Sequence, residues 1–233
     1  MTRNRIIAIV GAVILIGAIG AYVAYDQVLG GDAVAPLALP SGAAGAAPVT
    51  AETAAGTWAI GSGSQAGYRV RERLAQLSAD SDAVGRTDQV TGPVTVAASG
   101  GATQVTAATI TVDTTAITSD KGMRDNRLRT EGLQTDTYKT ATFTLTSPVD
   151  VPADIYSGAT VDVTLHGDLD LHGVSKTVDI PAQAQIQGGQ IQIQGAITFP
   201  LSDYGIVAPN VGGFILSIAD QGALEFLVVL DPA

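Results

Sequence analysis

VDVTLHGDLDLHGVSKTVDIPAQAQIQGGQIQIQGAITFPL, residues 161–201, is the stretch of sequence that decides the fold. Apolar residues take every second position in two parts of it: Val161, Val163, Leu165, Leu169 and Leu171, then Ile191, Ile193, Ile197, Phe199 and Leu201. Mostly aspartate, threonine, histidine and glutamine lie between them. A period of two gives a strand one apolar face and one polar, solvent-facing face, which is typical of antiparallel sheets. The Gln187-Gly188-Gly189-Gln190 segment predicts a tight hairpin turn between two such strands.

The same alternation continues on both sides of this stretch. It occurs at 109–113, at 141–146, and in a final pair of segments, Phe214–Ala219 and Leu224–Leu230. Because no helical segments alternate with the strands, a parallel βαβ architecture is excluded, and a sandwich or a closed barrel is expected. A barrel of about eight strands has no exposed edges and can hold one ligand. Residues 120–138 lack the alternation, which predicts a short helical or irregular excursion over one end of the sheet.

The N-terminal segment predicts a membrane anchor. Ile6–Tyr25 contains no charged residue, and as a helix it would rise about 30 Å, the thickness of the hydrocarbon core. Arg3 and Arg5 precede it. This excess of basic residues on the N-terminal side of the helix places the N-terminus in the cytoplasm. The alternative is a cleaved signal peptide, although the apolar run is longer than such peptides usually have.

The next segment is rich in alanine, glycine and proline, which predicts a flexible linker. We therefore predict four parts: a cytoplasmic stub at 1–5, a transmembrane helix at 6–25, a linker at 26–56 and an antiparallel β-barrel domain at 57–233. The expected location is a bacterial plasma membrane, with a single pass, the N-terminus inside and the domain on the outer face. Signal cleavage would instead release a secreted domain.

Composition narrows the function classes. The formal net charge of −10 argues against nucleic acid as a partner. Cysteine is absent, so no disulfide or thiolate metal site can form. The two histidines, His166 and His172, lie about 20 Å apart along a straight strand, too far to share a metal ion. Nothing places the carboxylates Asp168, Asp170 and Asp179 in an apolar cleft, as paired catalytic acids would require. We therefore expect no catalytic residues, no metal and no enzyme.

Several motifs, in this order along the chain, resemble the YceI-like family. They are Thr57–Ile60, Met123–Arg129, Thr137–Phe143, Gly167–Lys176 and Ser202–Ile206, of which the fourth is the most specific. The resemblance covers nearly the whole domain. It implies a lipocalin-like barrel whose ligand is a polyisoprenoid or another long-chain lipid.

In such a barrel the apolar parity points inward and would contact the ligand. The predicted ligand-binding residues are Leu128, Leu133, Phe143, Leu145, Val163, Leu165, Leu169, Ile193, Ile197, Phe199 and Leu216. Arg124 and Arg127 are predicted contacts for a phosphate head group, since arginine suits bidentate phosphate binding. The alternatives are that the apolar residues fill a solid core and that the arginines lie on a solvated helix face.

The sequence thus predicts an extracytoplasmic, membrane-tethered binding protein for an apolar lipid such as a polyisoprenoid. It would act as a carrier or sensor without catalysis, with no cofactor beyond a bound isoprenoid or other long-chain lipid. Its expected partners are that lipid and, through the N-terminal helix, the membrane. The alternative is a structural module with a filled barrel that recruits a protein partner at the cell surface.

Overall fold

The computed structural model describes residues 34–41, 49–74, 80–99, 101–209 and 215–233. The predicted cytoplasmic stub, the predicted transmembrane helix and part of the predicted linker lie outside the described residues. Within those ranges, no helix combines the length and the apolar character needed to cross a membrane. The chain from Ala35 to Ala233 forms one compact unit.

This unit is a β-structure with short helices at its ends. The strands are β1 Gly56–Ile60, β2 Gln65–Leu74, β3 Asp80–Thr87, β4 Val90–Thr91, β5 Pro93–Ser99, β6 Ala102–Asp113, β7 Thr118–Ser119, β8 Thr140–Leu145, β9 Val149–Val151, β10 Val161–Leu171, β11 Val174–Gln187, β12 Gln190–Pro200 and β13 Ile215–Pro232. The α-helices in the described residues are α1, Ala51–Ala54, and α2, Gly122–Thr130. Short 3-10 helices cover Thr114–Ala116, Ala153–Ser157 and Leu201–Tyr204.

The strands close into an eight-stranded antiparallel barrel. Some short strands that follow one another along the chain pair with the same longer strand. β1 and β2 both pair with β13, and β8 and β9 both pair with β6. From β5 the order runs through β6, β8, β10, β11 and β12 to β13, and β1 joins β13 to β5. The predicted antiparallel barrel and the short helix within the predicted excursion are confirmed.

The stretch 161–201 forms the longest continuous part of the wall. Val161–Leu171 pairs in register with Val174–Ala184, and Gln187 pairs with Gln190. Gly188 and Gly189 have φ angles of 62° and 79°, which a two-residue hairpin turn with two left-handed residues requires. Since strand partners share a face, the apolar parity of each strand points to one interior.

Apolar clusters pack at both ends of the barrel. At the end covered by α1, Trp58 and Leu230 are buried together with Val94 and Val96. At the end covered by α2, a cluster forms from Leu169, Leu171, Leu201, Tyr204 and Ile206. The middle of the barrel lies between these two clusters.

Part of the predicted linker contacts the barrel. The backbone carbonyl of Ala35 accepts a hydrogen bond from Arg86 on β3, and that of Pro40 accepts one from Gln185 on β11. Leu37 lies between them and is buried. Residues 35–41 therefore cross the outer face of the barrel. Together with α1, this segment makes the structured unit begin before Thr57, the boundary predicted from composition.

Candidate functional site

The interior of the barrel is lined by the apolar parity of the strands. The predicted ligand-binding residues Phe143, Leu145, Val163, Leu165, Ile193, Ile197 and Phe199 are only partly buried, although their strand positions point inward. Leu169 is buried in the cluster at the α2 end. In a fully packed core, inward-facing apolar side chains lose nearly all of their accessible surface. Their partial exposure indicates that the described side chains do not completely fill the interior of the barrel.

The remaining predicted lining residues lie near α2 or outside the described side chains. Leu128 and Leu133 are partly buried against the cluster of Tyr68, Ala83 and Ile117. Leu133 also packs against the cluster at the α2 end of the barrel. The backbone of Leu216 belongs to β13, but its side chain lies outside what the structure describes.

Three aromatic rings on the barrel wall lie over glycines of the neighbouring strand. A Cβ atom on Gly85 would lie 2.4 Å from Cε1 of Tyr68, and one on Gly167 would lie 2.5 Å from Cζ of Phe143. A Cβ atom on Gly195 would lie 2.7 Å from Cζ of Phe226. Because each glycine leaves room for a ring on the wall, the rings do not extend across the interior.

Sequence reasoning missed Tyr68 and Phe226 as lining residues. The available signal was the glycine within each neighbouring strand, since such a glycine often marks a close approach by another group. The cross-strand register needed to match each glycine with its ring could not be obtained without the paired strands.

The polar groups at the α1 end are paired. The indole N–H of Trp58 donates to the carbonyl of Ala54 at 2.9 Å. The hydroxyl of Tyr156 lies 2.7 Å from Oγ1 of buried Thr103. This end is therefore covered by groups that satisfy one another.

The α2 end carries the predicted head-group arginines. Arg124 pairs with Asp120 and, at 3.3 Å, with buried Glu72, an inward-facing residue of β2. Arg127 lies 3.8 Å from Glu131. Arg124 thus has two carboxylate partners within the chain, so a phosphate head group would have to compete with them.

Two tyrosines and one aspartate are buried at this end of the barrel. Asp125 accepts hydrogen bonds from the backbone N–H and the hydroxyl of Ser119, at 2.9 and 2.7 Å. Burial raises the pKa of the Tyr68 hydroxyl well above its usual range. Burial also raises the pKa of Tyr204. Both phenols are therefore neutral at ordinary pH.

The histidines lie apart in different surroundings. His166 is on the outer face, with Nδ1 2.6 Å from the carboxylate of Asp179. His172 has a positive φ of 52° in the turn between β10 and β11, and its Nδ1–H donates to the carbonyl of Tyr204 at 2.9 Å. His172 is thus a half-buried turn residue, whereas the sequence pattern predicts it at a strand position. Across the described ranges, no group of three or more histidines and carboxylates is placed to hold a metal ion.

A depression of about 350 Å³ lies on the outer wall formed by β10, β11 and β12. The outward-facing residues around it include Asp162, Thr164, Gln183 and Gln194. This polar, open surface differs in character from the apolar interior.

A closed eight-stranded antiparallel barrel with an incompletely filled apolar interior defines a lipocalin-like protein. More specifically, the chain belongs to the YceI-like domain family, whose sequence model matches residues 60–230. No match was found among curated proteins.

Several solved structures share the fold, among them the following two. A polyisoprenoid binding domain from Saccharophagus degradans, implicated in plant cell wall breakdown, superposes with a TM-score of 0.56 at 19% identity, covering 76% of this chain and 98% of that one. BcnA from Burkholderia cenocepacia gives a TM-score of 0.53 at 18% identity, covering 71% of this chain and 95% of that one. At these identities the likeness establishes the fold alone.

Proposed function

We propose that this protein binds an apolar, long-chain lipid such as a polyisoprenoid inside its barrel, as a carrier or sensor without catalysis. The observation that carries this proposal is the partial exposure of inward-facing apolar residues in the middle of the barrel, including Leu145, Leu165 and Ile197. Membership in the YceI-like family supports it, as does the fold shared with a polyisoprenoid binding domain.

The binding mechanism is the removal of an apolar chain from water. Burial stabilises such a complex by about 25 cal/mol for each Å² of apolar surface. The rings of Phe143 and Phe226 lie along the wall and offer flat apolar surface to a chain that passes between them. No bond in the ligand needs to change, so no catalytic group is required.

A substitution at the inner wall tests whether the barrel is hollow. Leu165→Trp adds volume inside the barrel, whereas Thr164→Trp adds the same ring on the outer face of the same strand. We expect Leu165→Trp to abolish uptake of an added isoprenoid, measured by native mass spectrometry, and Thr164→Trp to leave it unchanged.

The same pair of variants distinguishes the filled-barrel alternative. In a hollow barrel Leu165→Trp leaves the free energy of unfolding nearly unchanged, whereas in a filled barrel overpacking lowers it by about 1–3 kcal/mol. A strongly destabilised Leu165→Trp variant, together with no isoprenoid uptake by the unsubstituted protein, would show that the barrel is a structural module.

We also propose that Ile6–Tyr25 tethers the domain to the outer face of a bacterial plasma membrane. The support is its uncharged length and the preceding Arg3 and Arg5. The intact mass of the mature chain tests the tether, because signal cleavage would remove this segment. Digestion of the domain by protease added outside intact cells tests its orientation.

A further inference from the structure

Buried polar groups without partners are concentrated at one end of the barrel. Within the ranges that the structure describes, four buried side-chain atoms have no hydrogen-bond partner. They are the hydroxyl oxygens of Tyr68, Thr135 and Tyr204, and Nε2 of His172. All four belong to the half of the barrel beneath α2, while Trp58 and Tyr156 at the opposite end are paired.

Such groups call for an explanation. Native proteins satisfy nearly all of their buried donors and acceptors, and exceptions often mark functional sites. Tyr68 is 8% exposed and Tyr204 1% exposed, so bulk water does not reach them in this conformation. Neither hydroxyl has a hydrogen-bond partner among the described residues at this end of the barrel.

The cover at this end is held in part by charge. Arg124 of α2 reaches Glu72 on the barrel wall, which is 5% exposed, and also pairs with Asp120. The apolar contacts of the cover include Leu128 and Leu133, which pack near the ring of Tyr68. The ion pair of Arg124 with Glu72 therefore joins α2 to the strand that carries Tyr68, in addition to these apolar contacts.

We propose that the α2 end is the mouth of the barrel and that the lipid's uncharged polar end lies there, bound to the Tyr68 hydroxyl. The segment 119–138 moves aside while the apolar chain enters first. A terminal hydroxyl or carbonyl oxygen then accepts the hydrogen bond that Tyr68 lacks in the closed protein. An uncharged end fits because Glu72 and Asp120 already neutralise Arg124. This inference rests on the proposed lipid-binding function.

A covalent lock tests the position of the mouth in the full chain. Since the protein has no cysteine, Glu72→Cys with Arg124→Cys provides a unique pair of thiols that a bifunctional thiol reagent can bridge. The control is Glu225→Cys with Arg86→Cys, which replaces another buried glutamate–arginine pair, on the outer wall. Native mass spectrometry follows uptake of an isoprenoid alcohol over time.

We expect the bridge between positions 72 and 124 to prevent uptake, and its reversal or omission to restore it. The bridge between positions 225 and 86 should leave the uptake rate unchanged. Unchanged uptake by the first bridged variant would overturn the proposed mouth.

A pair of probes tests the position of the polar end. Tyr68→Phe should weaken binding of the isoprenoid alcohol by up to about tenfold, the value of one hydrogen bond, and should not change binding of an isoprenoid hydrocarbon of equal length. Tyr156→Phe at the opposite end should alter neither. An equal effect of Tyr68→Phe on both probes, or no effect on the alcohol, would overturn the proposed contact. If neither probe binds the unsubstituted protein, the lipid-binding function itself fails.

Discussion

The hydroxyl groups of Tyr68 and Tyr156 differ in their hydrogen bonding, although both tyrosines belong to the same barrel. The hydroxyl of Tyr156 pairs with Thr103, whereas that of Tyr68 is buried without a partner. The Tyr68 ring occupies the space over Gly85, so the position of the hydroxyl follows from a glycine on another strand. Residue type alone therefore does not determine whether either phenol forms a hydrogen bond in the folded protein.

We expect the two tyrosine-to-phenylalanine substitutions to have opposite effects on stability without ligand. Tyr68→Phe removes an unpaired buried hydroxyl and should raise the free energy of unfolding by about 1 kcal/mol. Tyr156→Phe breaks a hydrogen bond, leaves buried Thr103 unpaired and should lower it by about 1 kcal/mol. Urea denaturation of both variants measures this, and equal losses would contradict the unpaired state of Tyr68.

The buried phenols also predict a loss of stability at alkaline pH. Burial raises the pKa of Tyr68 and Tyr204, so the folded protein keeps protons that the unfolded chain releases above its ordinary phenol pKa of about 10. Because the folded state then binds more protons, the free energy of unfolding falls as pH rises above about 10, and below that pH this contribution is constant. Urea midpoints between pH 8 and 11 should fall less steeply in Tyr68→Phe, and identical slopes would refute this origin.

At the scale of secondary-structure elements, the interior of the barrel depends on aromatic rings that pack over glycines of neighbouring strands. Tyr68 of β2 lies over Gly85 of β3, Phe143 of β8 over Gly167 of β10, and Phe226 of β13 over Gly195 of β12. Each pair holds a ring on the inner wall. The glycines thus help to keep the middle of the barrel open.

Gly85→Ala should be destabilising because its Cβ would lie 2.4 Å from Cε1 of Tyr68 and 3.0 Å from Cγ2 of Ile117. Both neighbouring atoms belong to side chains, so the Tyr68 ring must tilt into the interior. This should lower the free energy of unfolding by about 1–3 kcal/mol. The control is Gly122→Ala in α2, where a Cβ meets nothing within 4 Å. Since alanine favours helix, it should stabilise the protein by up to about 1 kcal/mol. Thermal denaturation measures both, and an unchanged Gly85→Ala variant would contradict the close packing of the ring.

At the scale of the whole molecule, the folded unit includes more than the barrel strands. Ala54 of α1 is buried beside Trp58, and Leu37 is buried where residues 35–41 cross the outer wall. The hydrogen bonds of Ala35 and Pro40 attach that crossing to two strands. The N-terminal approach to the domain is therefore part of its packing.

This packing predicts a difference between two truncated proteins. Residues 35–233 should fold with the stability of the full domain, whereas residues 57–233 lose Leu37, Ala54 and the hydrogen-bond acceptor of Trp58. We expect the shorter chain to be less stable by at least about 3 kcal/mol, because buried apolar groups are removed. Differential scanning calorimetry compares their melting temperatures, and equal values would place the boundary at Thr57.

The strand alternation determined much of this protein by itself. The parity of Val161–Leu171 and Gln190–Pro200 predicted which residues face inward, and Gly188-Gly189 predicted the hairpin between their strands. These features are local, because a period of two and a left-handed turn depend on neighbouring residues. The resemblance to the YceI-like family added the prediction of a closed barrel, which the structure confirms, and the expectation of a long-chain lipid as ligand.

Only the tertiary structure decided the contacts between distant segments. It paired Arg124 with Glu72, placed Tyr68 over Gly85 and placed residues 35–41 across the outer wall. No local pattern encodes these contacts, because each depends on the register and closure of strands far apart in the chain. For the same physical reason, the unpaired hydroxyls beneath α2 were invisible in the sequence: whether a polar group is satisfied depends on everything that folds around it.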